Sequence, residues 1–163
     1  MPTHMTTDGT QSPTNKTYDF TAANGNVLTM NAAHTNAAAV VSTTSSTGVH
    51  AGLALAFTPR GSGRVMVVFT GEGANSSAIT DRVVTRIRYG TGAAPANGAA
   101  LTGTAAGLPQ SSRSDNSLTE SIGSHAVITG LTPGTAYWFD VSQACLAVGT
   151  VTLTNVLLTV VEL

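Results

Sequence analysis

The chain is patterned for β-strands, because apolar residues alternate with polar or small ones over many short segments. In the segment RVMVVFTG, Val65, Val67 and Phe69 fall on one face of a strand. Met66 and Val68 fall on the other face. Since both faces are apolar, we expect one to meet the core of a β-sandwich and the other to meet a partner chain or a covering loop.

The same alternation predicts further strands, and no segment has the apolar period of a helix. The predicted strands include VHAGLALAFTP, DRVVTRIRYG, SHAVITGL, TAYWFDV and GTVTLTNVLLTVVEL. TYDFTA and NVLTMN are predicted to form a hairpin around Asn24-Gly25, since both of these residues tolerate a positive φ. We count eight to ten strands, which predicts an all-β, antiparallel β-sandwich of the Greek-key or jelly-roll type.

Two segments lack this alternation and are predicted to be irregular. AAHTNA, residues 32–37, is interpreted as a loop or arm. Residues 90–116 are rich in Gly, Ala, Pro and Ser, and so long a stretch is unusual for an ordinary connection. We expect a functional surface loop there, or a segment that packs along a neighbouring subunit.

The first 16 residues show no hydrophobic period. We therefore divide the chain into an extended N-terminal arm, residues 1–16, and a β-sandwich domain, residues 17–163. The arm lacks the basic start and apolar centre of a secretory signal, and no run of about 18 apolar residues predicts a membrane span. The arm residues that are candidates for binding a capsid are Thr3, His4, Thr6, Asp8 and Pro13.

The stretch GLTPGTAYWFDV combines a tight turn with a strand that alternates from its first residue. It is similar to the corner of fibronectin type III domains. The rest of the chain departs from that family, whose early tryptophan is missing here. We therefore interpret the corner as a turn that resembles this family's by convergence. Tyr137 is expected to be buried, with its hydroxyl hydrogen-bonded to backbone near Leu131. The corner residues are Leu131, Pro133, Gly134 and Tyr137.

Charge is scarce in this chain. Only 9% of its residues are Asp, Glu, Lys or Arg, and the net charge is −1; an ordinary globular domain has about 25%. Such a chain has no field that would attract nucleic acid or an anionic membrane. Low charge has two interpretations. It is a composition common in secreted or viral β proteins, or it indicates that much of the surface lies against other protein.

A basic cluster lies on the strand DRVVTRIRYG, where Arg82, Arg86 and Arg88 share one face. We expect a solvated face, and the carboxylates expected to pair with it are Asp81, Glu72 and Glu120. Binding of phosphate or nucleic acid is the alternative, although no aromatic residues are interleaved with the arginines.

No pattern of residues predicts a catalytic, cofactor or metal site. Cys145 is the one cysteine, and its place after an alternating strand predicts a buried small hydrophobe. The four histidines are not spaced along the sequence as metal ligands are. His125 is expected to lie inside the sandwich with its ring nitrogens hydrogen-bonded. Neither a nucleophile elbow nor a phosphate-binding loop is present. We therefore expect a protein that is not an enzyme.

The strands RVMVVFTG and GTVTLTNVLLTVVEL are apolar on both faces, which is more than the sandwich of one chain requires. We predict that one face of these strands is an interface between subunits. The candidate interface residues are Val65, Val67, Phe69, Val156, Leu158 and Val160.

Residues 40–163 resemble virion proteins of tailed bacteriophages that carry a trimeric jelly roll akin to C1q and tumour necrosis factor. The resemblance rests on the order of segments from AGLALAFTPRGSGRVMVVFTGEGAN to GTVTLTNVLLTVVEL, and on RYGTGAAPANG in particular. It implies a homotrimer packed around a three-fold axis. It also implies a structural protein of the capsid exterior, of the decoration or head-fibre type, whose partners are itself and the major capsid protein or another virion protein.

Such a protein would be made in the host cytoplasm and located on the virion surface, where it would bridge capsid subunits against internal DNA pressure. The alternative is a tail-fibre module that binds a host receptor or a carbohydrate. Because sugar-binding surfaces are built on exposed aromatic side chains, exposure of Trp138 would favour that alternative.

Overall fold

The computed structural model describes residues 31–77, 81–113 and 118–163, and this part of the chain is built from strands with no helix. Its strands are β1 (Ala32–Ala39), β2 (Val49–His50), β3 (Leu55–Phe57), β4 (Val65–Asn75), β5 (Arg82–Thr91), β6 (Thr104–Arg113), β7 (Glu120–Ile128), β8 (Tyr137–Cys145) and β9 (Val151–Glu162). The N-terminal arm, its boundary with the sandwich and the hairpin around Asn24-Gly25 lie outside the described residues.

The strands form two antiparallel sheets. β1, β9, β4 and β7 lie side by side, in that order, in sheet A. β2, β8, β5 and β6 lie in that order in sheet B, and β3 also pairs with β8. From β4 onward, each connection crosses from one sheet to the other, except the connection between β5 and β6, which are both in sheet B. This connectivity is that of a jelly roll, and it confirms the predicted all-β sandwich.

The core between the sheets is built from residues that alternate along each strand. Val65, Val67 and Phe69 of β4 are fully buried, and they belong to one cluster with Val83 and Ile87 of β5. Full burial of side chains of this size contributes about 1.5–3 kcal/mol each relative to exposure. The predicted shared face of β4 is therefore the core face.

All six candidate interface residues lie in this core, and each is at most 1% exposed. They are Val65, Val67, Phe69, Val156, Leu158 and Val160. Because β4 and β9 are paired neighbours in the middle of sheet A, the side chains that face sheet B must fill the interior of one chain. This corrects the predicted interface: these six side chains are core residues, and the side chains of β4 and β9 that point away from the core are those between them.

Two strands lie where the sequence predicted irregular structure. β1 contains AAHTNA, and it pairs along β9 from Ala32 opposite Val161 to Ala39 opposite Thr154. β6 lies within residues 90–116. Both are edge strands, and pairing on one side tolerates residues that a central strand would exclude. Proline and glycine in β6 lie where its register with β5 shifts, so the pattern of alternation is lost there.

Tyr137 opens β8 at the predicted corner. Its hydroxyl accepts a hydrogen bond from the backbone N–H of Thr132 at 3.0 Å, one residue after the buried Leu131. The ring packs against the core beside Tyr89, with 6.5 Å between the ring centroids. The side chain of Tyr137 is half-buried, whereas the sequence predicted full burial.

The turn at this corner holds a neighbouring loop. Pro133 and Gly134 lie in it, and Gly134 has a φ of +80°, which glycine adopts without strain. The N–H of Gly134 donates to the carbonyl of Pro59 at 2.8 Å, and the N–H of Leu131 donates to the carbonyl of Gly63 at 2.9 Å. The corner therefore ties the β7–β8 connection to the β3–β4 loop.

Replacing Tyr137 by phenylalanine is expected to lower the free energy of unfolding by about 1 kcal/mol, because the N–H of Thr132 loses its acceptor. Replacing it by alanine is expected to cost about 3 kcal/mol, because the ring also leaves the core. Urea unfolding measures both changes. If both variants unfolded at the same urea concentration as the wild type, the corner would not stabilise the sandwich.

The β3–β4 loop is also held by Glu162, near the end of β9. The carboxylate of Glu162 accepts hydrogen bonds from three consecutive backbone N–H groups, those of Arg60 at 2.8 Å, Gly61 at 2.8 Å and Ser62 at 2.9 Å. The amide of Asn31 donates a further bond at 2.7 Å. The bond from Asn31, followed by those from the loop, lowers the pKa of Glu162 from an ordinary value of 4.5 to about 2.

Replacing Glu162 by glutamine is expected to lower the melting temperature at pH 7, because folding favours the ionised carboxylate. A depressed pKa gives stability that is complete above the ordinary value of 4.5 and is lost as pH falls through about 2. The difference in melting temperature between variant and wild type should therefore shrink over that range. Glu120→Gln, an exposed acid, is the control. A difference that stays constant with pH would contradict this role of Glu162.

Candidate assembly interface

Within the described residues, no segment covers the face of sheet A that points away from sheet B. The strand register places its side chains in rows that cross the sheet in the order β1, β9, β4, β7. The first row is Ala32, Val161, Met66 and Val127. The second row is His34, Thr159, Val68 and His125. The third row is Asn36, Leu157, Thr70 and Gly123. We call these three rows the outer face of sheet A.

This outer face carries large apolar side chains in contact with water. Met66 is 37% exposed, Leu157 is 38% exposed and Val127 is 51% exposed. None of the twelve residues in these rows has a fixed charge, and the two histidines are the only titratable groups among them. Exposed apolar side chains gathered on one face, with charge depleted among them, are typical of a surface that other protein covers.

A polar border lies beyond the third row. The register of β4 shifts between Thr70 and Glu72, and the carboxylate of Glu72 accepts a hydrogen bond from the amide of Asn155 at 2.8 Å. The carboxylate of Glu72 is thus hydrogen-bonded within sheet A, at the edge of the apolar rows. An apolar centre with a polar border is the organisation of a protein–protein interface.

His125 lies on this outer face and is exposed, whereas the sequence predicted an inner histidine. Its neighbours Ser124 and Ala126 are the residues of β7 that point inward, because a strand sends successive side chains to opposite faces. The inner histidine of the described chain is His50, which is fully buried.

His50 is paired with Asp140 of β8, which is also fully buried. The Nδ1 of His50 lies 2.8 Å from one carboxylate oxygen of Asp140. That oxygen also accepts the N–H of Gly52 at 3.1 Å, and the other oxygen accepts the N–H groups of Leu53 at 2.9 Å and Val141 at 2.8 Å. Burial raises the pKa of Asp140, and the bonds from backbone and from His50 offset part of that rise.

The hydrogen bonds determine the tautomer of His50. Its Nε2 accepts the backbone N–H of Thr102 at 3.0 Å, so the proton must lie on Nδ1, which donates to Asp140. The hydroxyl of Thr102 is 3.3 Å from the same Nε2. A hydroxyl, an imidazole and a carboxylate are therefore aligned, but the lone pair of Nε2 already accepts an N–H. This arrangement joins the β5–β6 connection to the segment after β2.

Trp138 is buried beneath these segments and is only 5% exposed. Its Nε1–H donates to the carbonyl of Thr91 at 3.2 Å, and its ring meets His50 edge-on with centroids 5.6 Å apart. A Cβ at Gly103 would lie 2.4 Å from the ring, so glycine is required there. Trp138 is therefore unavailable as an exposed sugar platform.

The arginines of β5 do not pair with the carboxylates expected from the sequence. Arg82 donates to the hydroxyl of Ser111 at 3.3 Å, and Arg86 donates to the carbonyl of Gly107 at 3.0 Å. Arg88 donates to the carbonyls of residues 102 and 103 at 2.9 and 3.3 Å.

Asp81 accepts backbone N–H groups of residues 146–148 at 2.6 to 3.3 Å. Burial would raise the pKa of Asp81, but its bonds from the N–H groups of Arg82, Val148 and Ala147 outweigh burial and lower it. The carboxylate is therefore committed to the β8–β9 loop.

Cys145 is buried, as its position predicted, and its thiol donates to the carbonyl of Thr44 at 3.1 Å. Burial raises the pKa of this thiol. Within the described residues, no three His, Cys, Asp or Glu side chains are grouped so that they could hold a metal ion. The same residues include no helix with the length and hydropathy of a membrane span. The candidate arm residues Thr3, His4, Thr6, Asp8 and Pro13 lie outside this part of the chain.

No protein-family model matches the chain, and no curated protein matches its sequence. A solved structure with similar architecture is that of Eiger TNF from S. frugiperda, with a TM-score of 0.53 and 11% sequence identity. The match covers 82% of this chain and 92% of the Eiger TNF chain. The fold is a TNF-like jelly roll.

The TNF-like jelly roll separates two kinds of surface in this chain. The outer side of sheet B is partly covered by the chain's own segments around His50 and Trp138. The described residues leave the outer face of sheet A without such a cover, which is why Met66, Val127 and Leu157 remain exposed. This face is therefore the candidate site at which the jelly roll meets another protein.

Proposed function

We propose that this protein is a structural subunit of a tailed-phage particle that works as a homotrimer and has no catalytic role. The observation that carries the proposal is the outer face of sheet A, which is apolar, uncharged and not covered by the other described residues. A face of this kind is stabilised when another protein removes it from water, at about 25 cal/mol per Å² of apolar area.

A second copy of the chain is the partner that this face fits best. The sequence resembles phage proteins whose jelly roll is trimeric, and the TNF-like fold supports that resemblance. Four strands about 4.8 Å apart make the face roughly 15–20 Å wide. Interfaces of standard size bury about 800 Å² per partner, so residues around the apolar rows would complete the contact.

The virion location is supported by the resemblance of residues 40–163 to phage decoration and head-fibre proteins and by the low charge of the chain. The trimer would bind the major capsid protein or another virion protein on the capsid exterior and bridge neighbouring subunits against internal pressure. An electron micrograph of purified particles labelled with antibody to this chain tests the location. Label on heads is the expected result, and label confined to tails or absent from particles would overturn it.

The burial of Trp138 argues against the alternative of a tail-fibre module that binds a carbohydrate. The described residues include no Phe, Tyr or Trp among the exposed large side chains. A sugar-binding surface made of such side chains would have to be supplied by another part of the chain. We therefore prefer the capsid role.

Deleting residues 1–16 is expected to leave the melting temperature of the trimer nearly unchanged and to weaken its attachment to undecorated capsids. The arm has no hydrophobic period with which to join the core, but an extended segment of this kind suits contact with a partner. Co-sedimentation with capsids measures attachment. Equal attachment of the truncated and full-length proteins would assign docking to the loops of the sandwich.

A further inference from the structure

The outer side of sheet B carries four arginines that the proposed function does not use. Arg82, Arg86 and Arg88 lie on this side of β5, and Arg113 of β6 is directly opposite Arg82. These four are more than half of the chain's seven Lys and Arg residues. At about 3.4 Å per residue, the row from Arg82 to Arg88 is roughly 20 Å long. We call these four residues the arginine patch.

Among the described residues, the carboxylates beside the three arginines of β5 are engaged elsewhere. Asp140 is opposite Arg88 in the register of β5 and β8, but both of its oxygens accept the bonds described above. Asp81 precedes Arg82 and accepts N–H groups of residues 146–148. Within the described residues, the three arginines of β5 form no ion pair with a carboxylate.

The patch places like charges close together and holds them in position. Arg86 and Arg88 alternate with Ile87 along β5, so their side chains lie on the same face of the strand. Burial, and after it the charge of Arg86, lowers the pKa of Arg88. The Nε of Arg86 donates to Gly107, which fixes its guanidinium and leaves the two terminal nitrogens without an acceptor among the described residues. An anionic partner would relieve the repulsion between Arg86 and Arg88 and supply acceptors to Arg86.

We propose that the arginine patch binds an acidic protein surface, whose Asp and Glu side chains follow an extended segment. The guanidinium group matches a carboxylate with two parallel hydrogen bonds. Nucleic acids and glycans are less suitable ligands, since no Phe, Tyr or Trp side chain of the described residues is exposed for bases or sugar rings to stack on. The patch lies on the opposite sheet from the outer face of sheet A, so a trimer formed through that face would still present it.

The test measures binding of fluorescent poly-L-glutamate to the full-length protein by anisotropy at low ionic strength. Replacing Arg82 and Arg86 together by glutamine is expected to weaken binding roughly fivefold or more, since each exposed ion pair contributes up to about a factor of five. Arg88 stays unchanged, because its bonds hold the β5–β6 connection. The matched control, Arg60→Gln with Arg64→Gln, removes the same charge from the β3–β4 loop and is expected to bind like the wild type.

Three outcomes would overturn this inference: no binding of poly-L-glutamate by the wild type, equal losses in both double variants, and tighter binding of polyphosphate or single-stranded DNA than of poly-L-glutamate. Thermal unfolding of each variant checks that the sandwich is intact. Light scattering of the same samples reports the oligomeric state separately, so a failure of the trimer proposal would not be mistaken for a failure of the patch.

Discussion

Replacing Asp140 by alanine is expected to lower the free energy of unfolding by about 3–5 kcal/mol, because buried donors lose their acceptor together. Those donors are the Nδ1 of His50 and the backbone N–H groups of Gly52, Leu53 and Val141. Chemical denaturation measures the loss, and the fluorescence of Trp138 is a direct probe because its ring packs against His50.

Glu120→Ala is the control for this prediction, because Glu120 is an exposed acid and its loss is expected to change stability by less than about 0.5 kcal/mol. Total stability is typically about 5–15 kcal/mol, so Asp140→Asn provides a milder variant that keeps one oxygen acceptor. A loss below about 1 kcal/mol in both Asp140 variants would show that the buried pair does not hold the connections above sheet B.

Replacing Met66 and Val127 together by glutamate is expected to dissociate the trimer into folded monomers. The two residues are neighbours in the first row of the outer face of sheet A, and the exposed Arg64, two residues before Met66, can pair with at most one of the two added carboxylates. An unpaired charge that is removed from water costs several kcal/mol, so the dissociation constant should rise by more than about 100-fold. Size-exclusion chromatography with light scattering measures the mass, and circular dichroism checks the fold.

Leu108→Glu is the matched control for the face, since Leu108 is 76% exposed on β6 of sheet B. It adds one negative charge to an exposed apolar position, as Met66→Glu or Val127→Glu does alone, and it is expected to remain trimeric. If the double glutamate variant kept the mass of the wild type, the subunits would have to associate through another surface. If all variants were monomeric, the added charge itself would be responsible rather than its position.

Alternation of apolar residues was enough to predict the central strands, because a central strand must present one face to the core. It predicted that Val65, Val67 and Phe69 share a face and that Met66 and Val68 share the other. It could not decide which of the two faces meets a partner, since both are apolar in the sequence. That choice depends on which side of sheet A meets sheet B, which is a property of the whole topology.

Sequence patterns could not predict the edge strands or the buried polar pair, and the reasons differ. β1 and β6 pair on one side only, so alanine, glycine and proline are tolerated and the alternation is weak. His50 and Asp140 are 90 residues apart, and only their meeting in space makes them a pair. A signal for the pair did exist, because Asp140 is a charged residue in the otherwise apolar stretch AYWFDV.

The mass of the protein in solution tests the central claim most directly, because the proposed role requires that the outer face of sheet A be covered by other copies. Multi-angle light scattering at micromolar concentration is the measurement. The expected mass is about three times the chain mass of 16.4 kDa. A single species with the mass of one chain would contradict it.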